Sequence, residues 1–587
     1  MTSTRALLGT LLAAVLTGAV AACSGGSAGV RPPPSGAAAA TVPAPPSTKV
    51  TAGRAPAYGP VPIGKTRYPV PAGARFVAPG GNDTAAGTRS APWRTLAHAV
   101  QRAPAGSAIV LRKGVYRESL EINRRHLTIQ SYPGEAVWFD GSRRVTGWVR
   151  DGSVWRKDGW TTRFDNTDPT RGRDWVFQMT DPHYPMARWP DQVFVDGREL
   201  EQVADRAAVR AGTFAVDYAT GRLYLGSNPA GATVEASVLS EALYLHGADG
   251  SVVRGIGFRR YATPIKRMGA VKGYANDLLF ENDVFADTAL TGLSIRGSRI
   301  TVRRNAFLRN GQLGLQGHKS DGAVIAGNVM TGNNTAHFKI IPVAGGMKIT
   351  TSRGLRVLDN DVEDNGSAGI WLDEACSQAV IARNVVRHNT GHGIQYEISD
   401  GALIAGNVVV DNARYGIRIL ESSRVRVWNN TVSANARRQI DVMDAGRLGR
   451  LTGVQLRNNL LESRPGGDQL LGVEDMNKRY GAAAMVNADG DAFYRPSQGP
   501  NALIHWVDPA RKTKDLSGLV EFTDRTGQEA HGIAAEGPSP FTDRRSFRLR
   551  PGSDPLRAGL PLPADVATLL GLHSGDRAGI GAYGVVG

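Results

Sequence analysis

The chain has 587 residues, 41% hydrophobic and 7% aromatic, with 71 glycines and a formal charge of +16. That balance favours an acidic polymer or an anionic surface as neighbour, while the scattering of the basic residues argues against nucleic acid. Two cysteines exclude a disulfide scaffold, so the fold must be held by its core and its hydrogen bonds.

The chain opens MTSTRALLGTLLAAVLTGAVAACSGG. One Arg, an apolar run and small residues make a secretory signal, too short and wrongly flanked for a membrane span. Its end, Val20-Ala21-Ala22-Cys23, resembles a bacterial lipobox. The resemblance implies that residues 1–22 are removed and that Cys23 carries lipid. The protein would then be exported and anchored on the outer side of the cytoplasmic membrane, in the cell envelope. Residues 23–60, rich in Ser, Gly, Pro and Ala, read as a flexible tether. Cys376 is left alone and reads as a small buried residue, not a nucleophile.

Residues 61–145 hold an end cap and the first coils. Trp93, Leu96, Ala97 and Val100 fall at i, i+3, i+4, i+7, so WRTLAHAVQRA predicts an amphipathic helix plugging the end of a stacked array. Residues 146–240 interrupt the pattern with aromatic-rich strands and DG and TG turns, an inserted small β-sandwich or β-sheet. Its Trp and Tyr residues either form a carbohydrate-binding wall or pack the insertion's own core. His183 in this segment is isolated.

Residues 241–465 repeat. Asn282, Asn305, Asn328, Asn360, Asn384, Asn407 and Asn430 recur at intervals of 23, 23, 32, 24, 23 and 23, most followed five places later by a second Asn. A Gly and an alternating strand come next, as in GIWLD and GIQYE. Self-similarity of this period marks a solenoid. Leucine-rich repeats share the period but use fixed leucines and helical turns. Val/Ile-rich strands joined by Gly, Asn and Asp predict an all-β, right-handed parallel β-helix. The Asn columns would satisfy backbone groups at the bends. Residues 466–587 supply the last coils and a cap.

Two further stretches carry a family likeness. GGNDTAAGTRSAPWRTLAHAVQRAPAGSAIVLRKGVYRESLEI resembles the opening of the pectate-lyase-like superfamily, and FRLRPGSDPLRAGLPLP with AGIGAYG resembles its bacterial closing coils. The likeness implies a β-helix with PbH1-type repeats that binds polysaccharide along one sheet face.

Counting from the Gly that begins each strand places the face. Leu293/Ile295, Leu315/Gly317, Met347/Ile349, Ile370/Leu372, Ile394/Tyr396 and Ile417/Ile419 point inward, because alternate side chains face opposite sides. One outward column then reads Ser294, Gln316, Lys348, Trp371, Gln395, Arg418, and the next Arg296, His318, Thr350, Asp373, Glu397, Leu420. Asp373 and Glu397, on consecutive rungs with His318 and Lys348 near, are the candidate catalytic groups. Trp371, Gln395, Arg418 and Gln316 are the candidate substrate-binding groups, with Trp371 expected to lie exposed as a sugar platform. Glu374 should occupy a solvated bend and His392 the turn into its strand. The long coil adds a loop whose His337 and Lys339 could overhang the face.

Two chemistries fit. Glycoside hydrolysis needs a protonated carboxyl and a carboxylate, here Glu397 as acid/base and Asp373 as its partner. Lyase or epimerase chemistry on a uronate would use Lys348, Arg418 or His318, with Asp373 and Glu397 holding Ca²⁺. A non-catalytic glycan-binding or adhesin scaffold is a third reading. A capped solenoid can function as a monomer.

Overall fold

The computed structural model describes residues 58–583 apart from 448–450, 477–478, 480, 498, 508–512, 545 and 577. The signal, Cys23 and most of the tether lie outside the described residues. By Tyr58 the chain already lies on the solenoid, since Gly59 N donates to Gly327 O. Among the described residues no helix is long and apolar enough to cross a membrane.

Each coil contributes one short strand to each of three sheets of 13 strands. Sheet A begins with Arg75–Val77, sheet B with Gly114–Tyr116 and sheet C with Leu120–Ile122. Neighbouring strands run parallel until the last pair of sheet C, Ile504–Val507 with Thr513–Leu516, which is antiparallel and closes the stack. The chain is a right-handed parallel β-helix.

Two physical devices build the coil. Inside, like residues stack on like: Tyr116, Phe139, Phe258, Phe285 and Phe307 form a ladder with ring centroids 5.0–5.5 Å apart, at the offset spacing aromatic pairs prefer. At the corner between sheets A and B, a left-handed residue (Arg304, Gly327, Asp359, Arg383, Gly406, Asn429 or Asn458) precedes each ladder asparagine. The bend strands backbone groups that no sheet can pair. Asn360 satisfies them: its Nδ2 donates to Ile325 O and Asn384 Oδ1, and its Oδ1 accepts from Asn328 N and Nδ2. The same pattern runs from Asn305 to Asn459. Asn282 is not part of it. The rung before Asn305 is supplied by Asp283, whose N donates to Asn305 Oδ1, while Asn282 accepts from Val61 N. A second ladder, from Asn310 to Asn435, holds the corner between sheets B and C and ends on Gln439.

The predicted cap helix is shorter than its apolar pattern. Helix α1 spans Leu96–Arg102, with Thr95 as N-cap. It buries Leu96, Ala99 and Val100, whereas Ala97 is half-buried and Trp93 precedes the helix.

The inserted region forms two small sheets between Ser142 and Ser237. They surround their own core of Trp160, Val193, Phe214, Leu223, Leu225 and Val234. It enters after the sheet B strand Val137–Asp140 and leaves before the sheet C strand Leu243–His246. The long connection of the 32-residue coil, between Val329–Thr331 and Gly345–Thr350, occupies the same B-to-C corner. The two therefore meet: Ala187 of the insertion packs with Ile265, Leu290, Phe338 and Ala344. This places a wall along one edge of sheet C.

The C-terminal stretch does not simply continue the stack. After the strand Ile533–Glu536 the chain turns back over the outside. Phe541, Phe547 and Ile580 pack on Val408, Val410 and Leu460 of sheet B, while Leu562 and Val566 pack on Leu403 and Trp428 of sheet A. The end of the solenoid is plugged instead by the helix Leu519–Thr526, whose Phe522 meets Trp506 edge-on.

Candidate functional site

Seven strands of sheet C carry the candidate face: β1 Thr291–Ile295, β2 Leu313–His318, β3 Gly345–Thr350, β4 Ala368–Asp373, β5 Ile394–Glu397, β6 Ile417–Leu420 and β7 Ile440–Asp444. The observed register puts Ser294, Gln316, Lys348, Trp371, Gln395 and Arg418 side by side, in the order the repeat implies. Thr350 lies beside Asp373, and Glu397 takes the equivalent place on β5. The inward residues of these strands belong to the main core.

The outward columns are far less exposed than alternation alone suggests. Ser294, Gln316, Lys348, Trp371, Gln395, Asp373 and Glu397 are all buried. The loop of the long coil folds across β3 and β4. Lys348 Nζ donates to Pro342 O on this loop at 2.8 Å, pairs with Asp373 Oδ2 at 2.7 Å and sits 3.6 Å above the Trp371 ring. Trp371 is only 4% exposed, so it is not an open sugar platform. Its face is taken by the Lys348 ammonium, an attraction that desolvation strengthens. His337 and Lys339 join the loop to the insertion: His337 stacks on Tyr184 with centroids 4.4 Å apart, and Lys339 Nζ donates to Trp175 O. Trp175 itself remains 65% exposed. Lys339 Nζ also lies 3.5 Å over the Trp175 ring, and Tyr184 of the insertion and Ile341 of the loop are exposed too. His183 faces solvent, paired with Asp181.

Three carboxyls gather at the end of β4 and β5. Asp373 is 3% exposed; Glu374 N donates to its Oδ1 at 2.7 Å. Burial and the nearby Glu397 raise its carboxyl above the ordinary range against the pull of Lys348. Glu397 pairs through Oε1 with Arg447 at 2.6 Å and through Oε2 accepts from Gln395 Nε2 at 2.5 Å. Glu374 holds the bend after β4 with φ +46°. It is half-buried, not a solvated corner residue, because the carboxyl shares its surroundings with Asp373 and Glu397. Burial first, and the Asp373 charge second, push its carboxyl up to about 7.

The other sequence candidates divide. His318 is half-exposed and its Nδ1 lies 2.9 Å from Thr350 Oγ1. Thr350 stands between it and Asp373 in the ladder, so His318 is two rungs, roughly 10 Å, from the carboxyls. Burial, Lys319 and Arg296 lower its pKa. Arg418 is engaged by the protein itself: Asp441 Oδ2 lies 3.3 Å away, and the guanidinium covers Tyr415 at 4.8 Å. Cys376 is buried at the bend after β4, its thiol pushed up to about 11 by burial.

Asp441 was missed, although it stands 23 residues after Arg418 in the same column and the repeat could have found it. It begins a network in which Arg438 joins Asp441 at 2.9 Å and reaches Glu474. Gly472 makes this possible, since a Cβ there would fall 2.3 Å from Arg438 Cδ.

Between β4 and β5 lies a recess lined by Ile340, Ile341, Trp371, His392, Gln395 and Arg414, among others, with room for about one water-sized group. His392 stacks on Tyr415 with centroids 5.3 Å apart. Burial, Arg418 and Arg414 hold its pKa well below the ordinary value, so the ring is neutral.

Comparison with known proteins agrees with this architecture. A family model described as a right handed beta helix region matches residues 270–435. A second, for a protein family of unknown function, DUF1565, matches residues 79–123. The uncharacterized protein YwoF of Bacillus subtilis (strain 168) is 37% identical over 71 residues, 11% of this chain; the chain spans about 15% of that relative's length. Among solved structures, a complex of XylC with xylose matches with a TM-score of 0.61 and 16% identity over 80% of this chain and 86% of that one. The pectate lyase Pel9A matches with a TM-score of 0.44 and 12% identity over 87% and 97%. The beta-helix family model and the likeness to the XylC structure speak to the fold alone.

Proposed function

We propose that the protein acts on a polysaccharide laid along sheet C and that it hydrolyses glycosidic bonds. The observation that carries this reading is Glu374, a half-exposed carboxyl pushed up to about 7 beside two further carboxyls. Near neutral pH it holds a proton for a substantial share of the time and can give it to a leaving glycosidic oxygen. The proton-donor role thus goes to Glu374, not to Glu397, whose oxygens are taken by Arg447 and Gln395.

Glu397, paired with Arg447 at 2.6 Å, is the partner that attacks the sugar or activates water. Asp373 is a positioning residue: its charge raises the Glu374 carboxyl, and Lys348 limits that effect. The exposed side chains of Trp175, on the ring face that Lys339 leaves open, Tyr184 and Ile341 would receive the sugar chain. The solved structures similar in fold include XylC with xylose, which fits a saccharide partner.

Calcium-assisted lyase or epimerase chemistry has less support. Lys348 occupies Asp373 Oδ2, and Arg447 and Gln395 occupy Glu397. Among the described residues, the one group of three or more potential ligands within 4.8 Å of one another is Glu363, Asp364 and His388, none of them in this cluster.

The test is turnover by Glu374→Gln and Glu397→Gln on a panel of neutral and uronic polysaccharides. Each variant should lose at least ~100-fold in kcat, the usual scale for a proton-transferring group. Full turnover by both would sink the assignment. The exported, lipid-anchored location, with Cys23 as the lipidated residue, belongs to the same proposal and would place the enzyme where envelope or external glycans reach it. Mass spectrometry of the mature N-terminus decides that part.

A further inference from the structure

The recess beside the carboxyl cluster contains two buried polar atoms with no partner in the protein: Trp371 Nε1 and His392 Nδ1. Their residues are 4% and 6% exposed. Leaving either atom unpaired costs free energy that native proteins rarely accept without a ligand or water.

The proton positions follow from the neighbours. Arg418 Nη1 lies 3.4 Å from His392 Nε2. A guanidinium can only donate, so Nε2 is the acceptor, and a neutral ring then carries its proton on Nδ1. Trp371 Nε1 is a donor by its chemistry. The recess therefore offers two N–H groups with nothing to accept them. Gln395 supplies the complement. Its amide nitrogen is spent on Glu397 Oε2 at 2.5 Å, which leaves its carbonyl oxygen as an acceptor.

Two donors and one acceptor around a space for one oxygen match a hydroxyl group, which accepts twice and donates once. We propose that this recess is a subsite for a single sugar hydroxyl, held by Trp371 Nε1–H, His392 Nδ1–H and Gln395 Oε1. Ile340 and Ile341 shield it from solvent. This rests on the saccharide function proposed above and deepens it: Gln395 binds both the hydroxyl and Glu397, so the subsite fixes one sugar against the carboxylate. Trp371 and Gln395, placed on the face by their sequence positions, thereby act through their polar edges, with no ring stacking.

The experiment is calorimetric binding to the full chain in detergent, using xylotriose, cellotriose, chitotriose and trigalacturonate as probes. Trp371→Phe keeps an aromatic face under Lys348 and removes the donor together with the indole's five-membered ring; His392→Phe keeps the stack on Tyr415 and removes the other donor. Each should weaken the best-bound trisaccharide about 3–10-fold, as loss of one hydrogen bond does, with the melting temperature retained. A monodeoxy version of that trisaccharide lacking the seated hydroxyl should bind wild type equally weakly, and Trp371→Phe should weaken it no further. In protein labelled with ¹⁵N-histidine, the His392 imidazole should show its proton on Nδ1.

Binding of a trisaccharide that both variants leave unchanged overturns the subsite and leaves the saccharide function standing; the recess then holds only a structural water. A proton on Nε2 likewise overturns it. Failure of wild type to bind all four probes overturns the saccharide function and the subsite with it.

Discussion

Replacing Lys348 by Met tests how the site is held together. The ammonium makes an ion pair with Asp373 at 2.7 Å, a hydrogen bond to Pro342 O at 2.8 Å and a contact over Trp371 at 3.6 Å. Met fills a similar volume and keeps none of these. Breaking a buried pair by removing one partner costs about 3–5 kcal/mol while the other stays charged. Asp373 need not stay charged at low pH, because its folded pKa is already raised by burial and loses its main opposing cation in the variant. A carboxyl with a raised folded pKa binds its proton more tightly when folded, so stability falls as pH rises through that pKa. The cost of Lys348→Met should therefore be largest near pH 8, about 3–5 kcal/mol. Toward pH 5 it should shrink, with about 1–2 kcal/mol, the hydrogen-bond and ring contacts alone, as the limit once Asp373 is protonated. Denaturant melts followed by tryptophan fluorescence at both pH values measure this, and Asp373→Asn in the Lys348→Met background should remove the pH dependence. An equal loss at the two pH values, or no effect of Asp373→Asn on it, would refute the reasoning.

Other outcomes follow from the same geometry. Wild-type activity should fall as pH rises through about 7, where Glu374 loses its proton; Asp373→Asn removes the raising charge and should move that limb down, by about one pH unit, and an unmoved limb contradicts the positioning role. Trp175→Ala should weaken binding of the preferred polysaccharide several-fold without changing the melting temperature, since the ring is 65% exposed. Asn360→Ala, which removes a side chain making and accepting four hydrogen bonds in the ladder, should cost at least ~2 kcal/mol in denaturant melts. Asn334→Ala is the control against treating every repeat asparagine alike: it lies outside the ladder and should loosen mainly the loop it binds at Phe338, read by hydrogen exchange.

The coil was legible because two periods recur, one within each strand and one from coil to coil. Alternation within a strand separated Ile370 and Leu372 from Trp371 and Asp373, and the recurring Gly set the register that the ladder confirms. Asp283 was hidden because an acid takes the place of an amide at the first rung, and the neighbouring Asn282 fits the spacing almost as well. What the repeat could not reveal was cover. Trp371 and Lys348 alternate outward, yet the long loop that leads into the strand of Lys348 lies over both, and no local pattern announces where 32 residues fold when 23 suffice. For the same reason the environment of Glu374 was out of reach: a bend residue looks solvated until the carboxyls packed around it are known. The insertion's position was likewise a matter of topology, because the shared B-to-C corner brings Trp175 to Lys339 and Tyr184 to His337. Its aromatics divide: Trp160 and Phe214 pack inside, as the packing reading expects, and Trp175 and Tyr184 face out.

The central claim is that the Asp373, Glu374 and Glu397 cluster cleaves a glycosidic bond by hydrolysis. The most direct measurement is product analysis after incubating the chain lacking residues 1–57 with neutral and uronic polysaccharides, with and without a chelator. New reducing ends, no unsaturated uronate, indifference to the chelator and loss of the product in Glu374→Gln are the predicted result. Unsaturated or epimerised uronate, or reducing ends formed equally well by Glu374→Gln, would contradict the account.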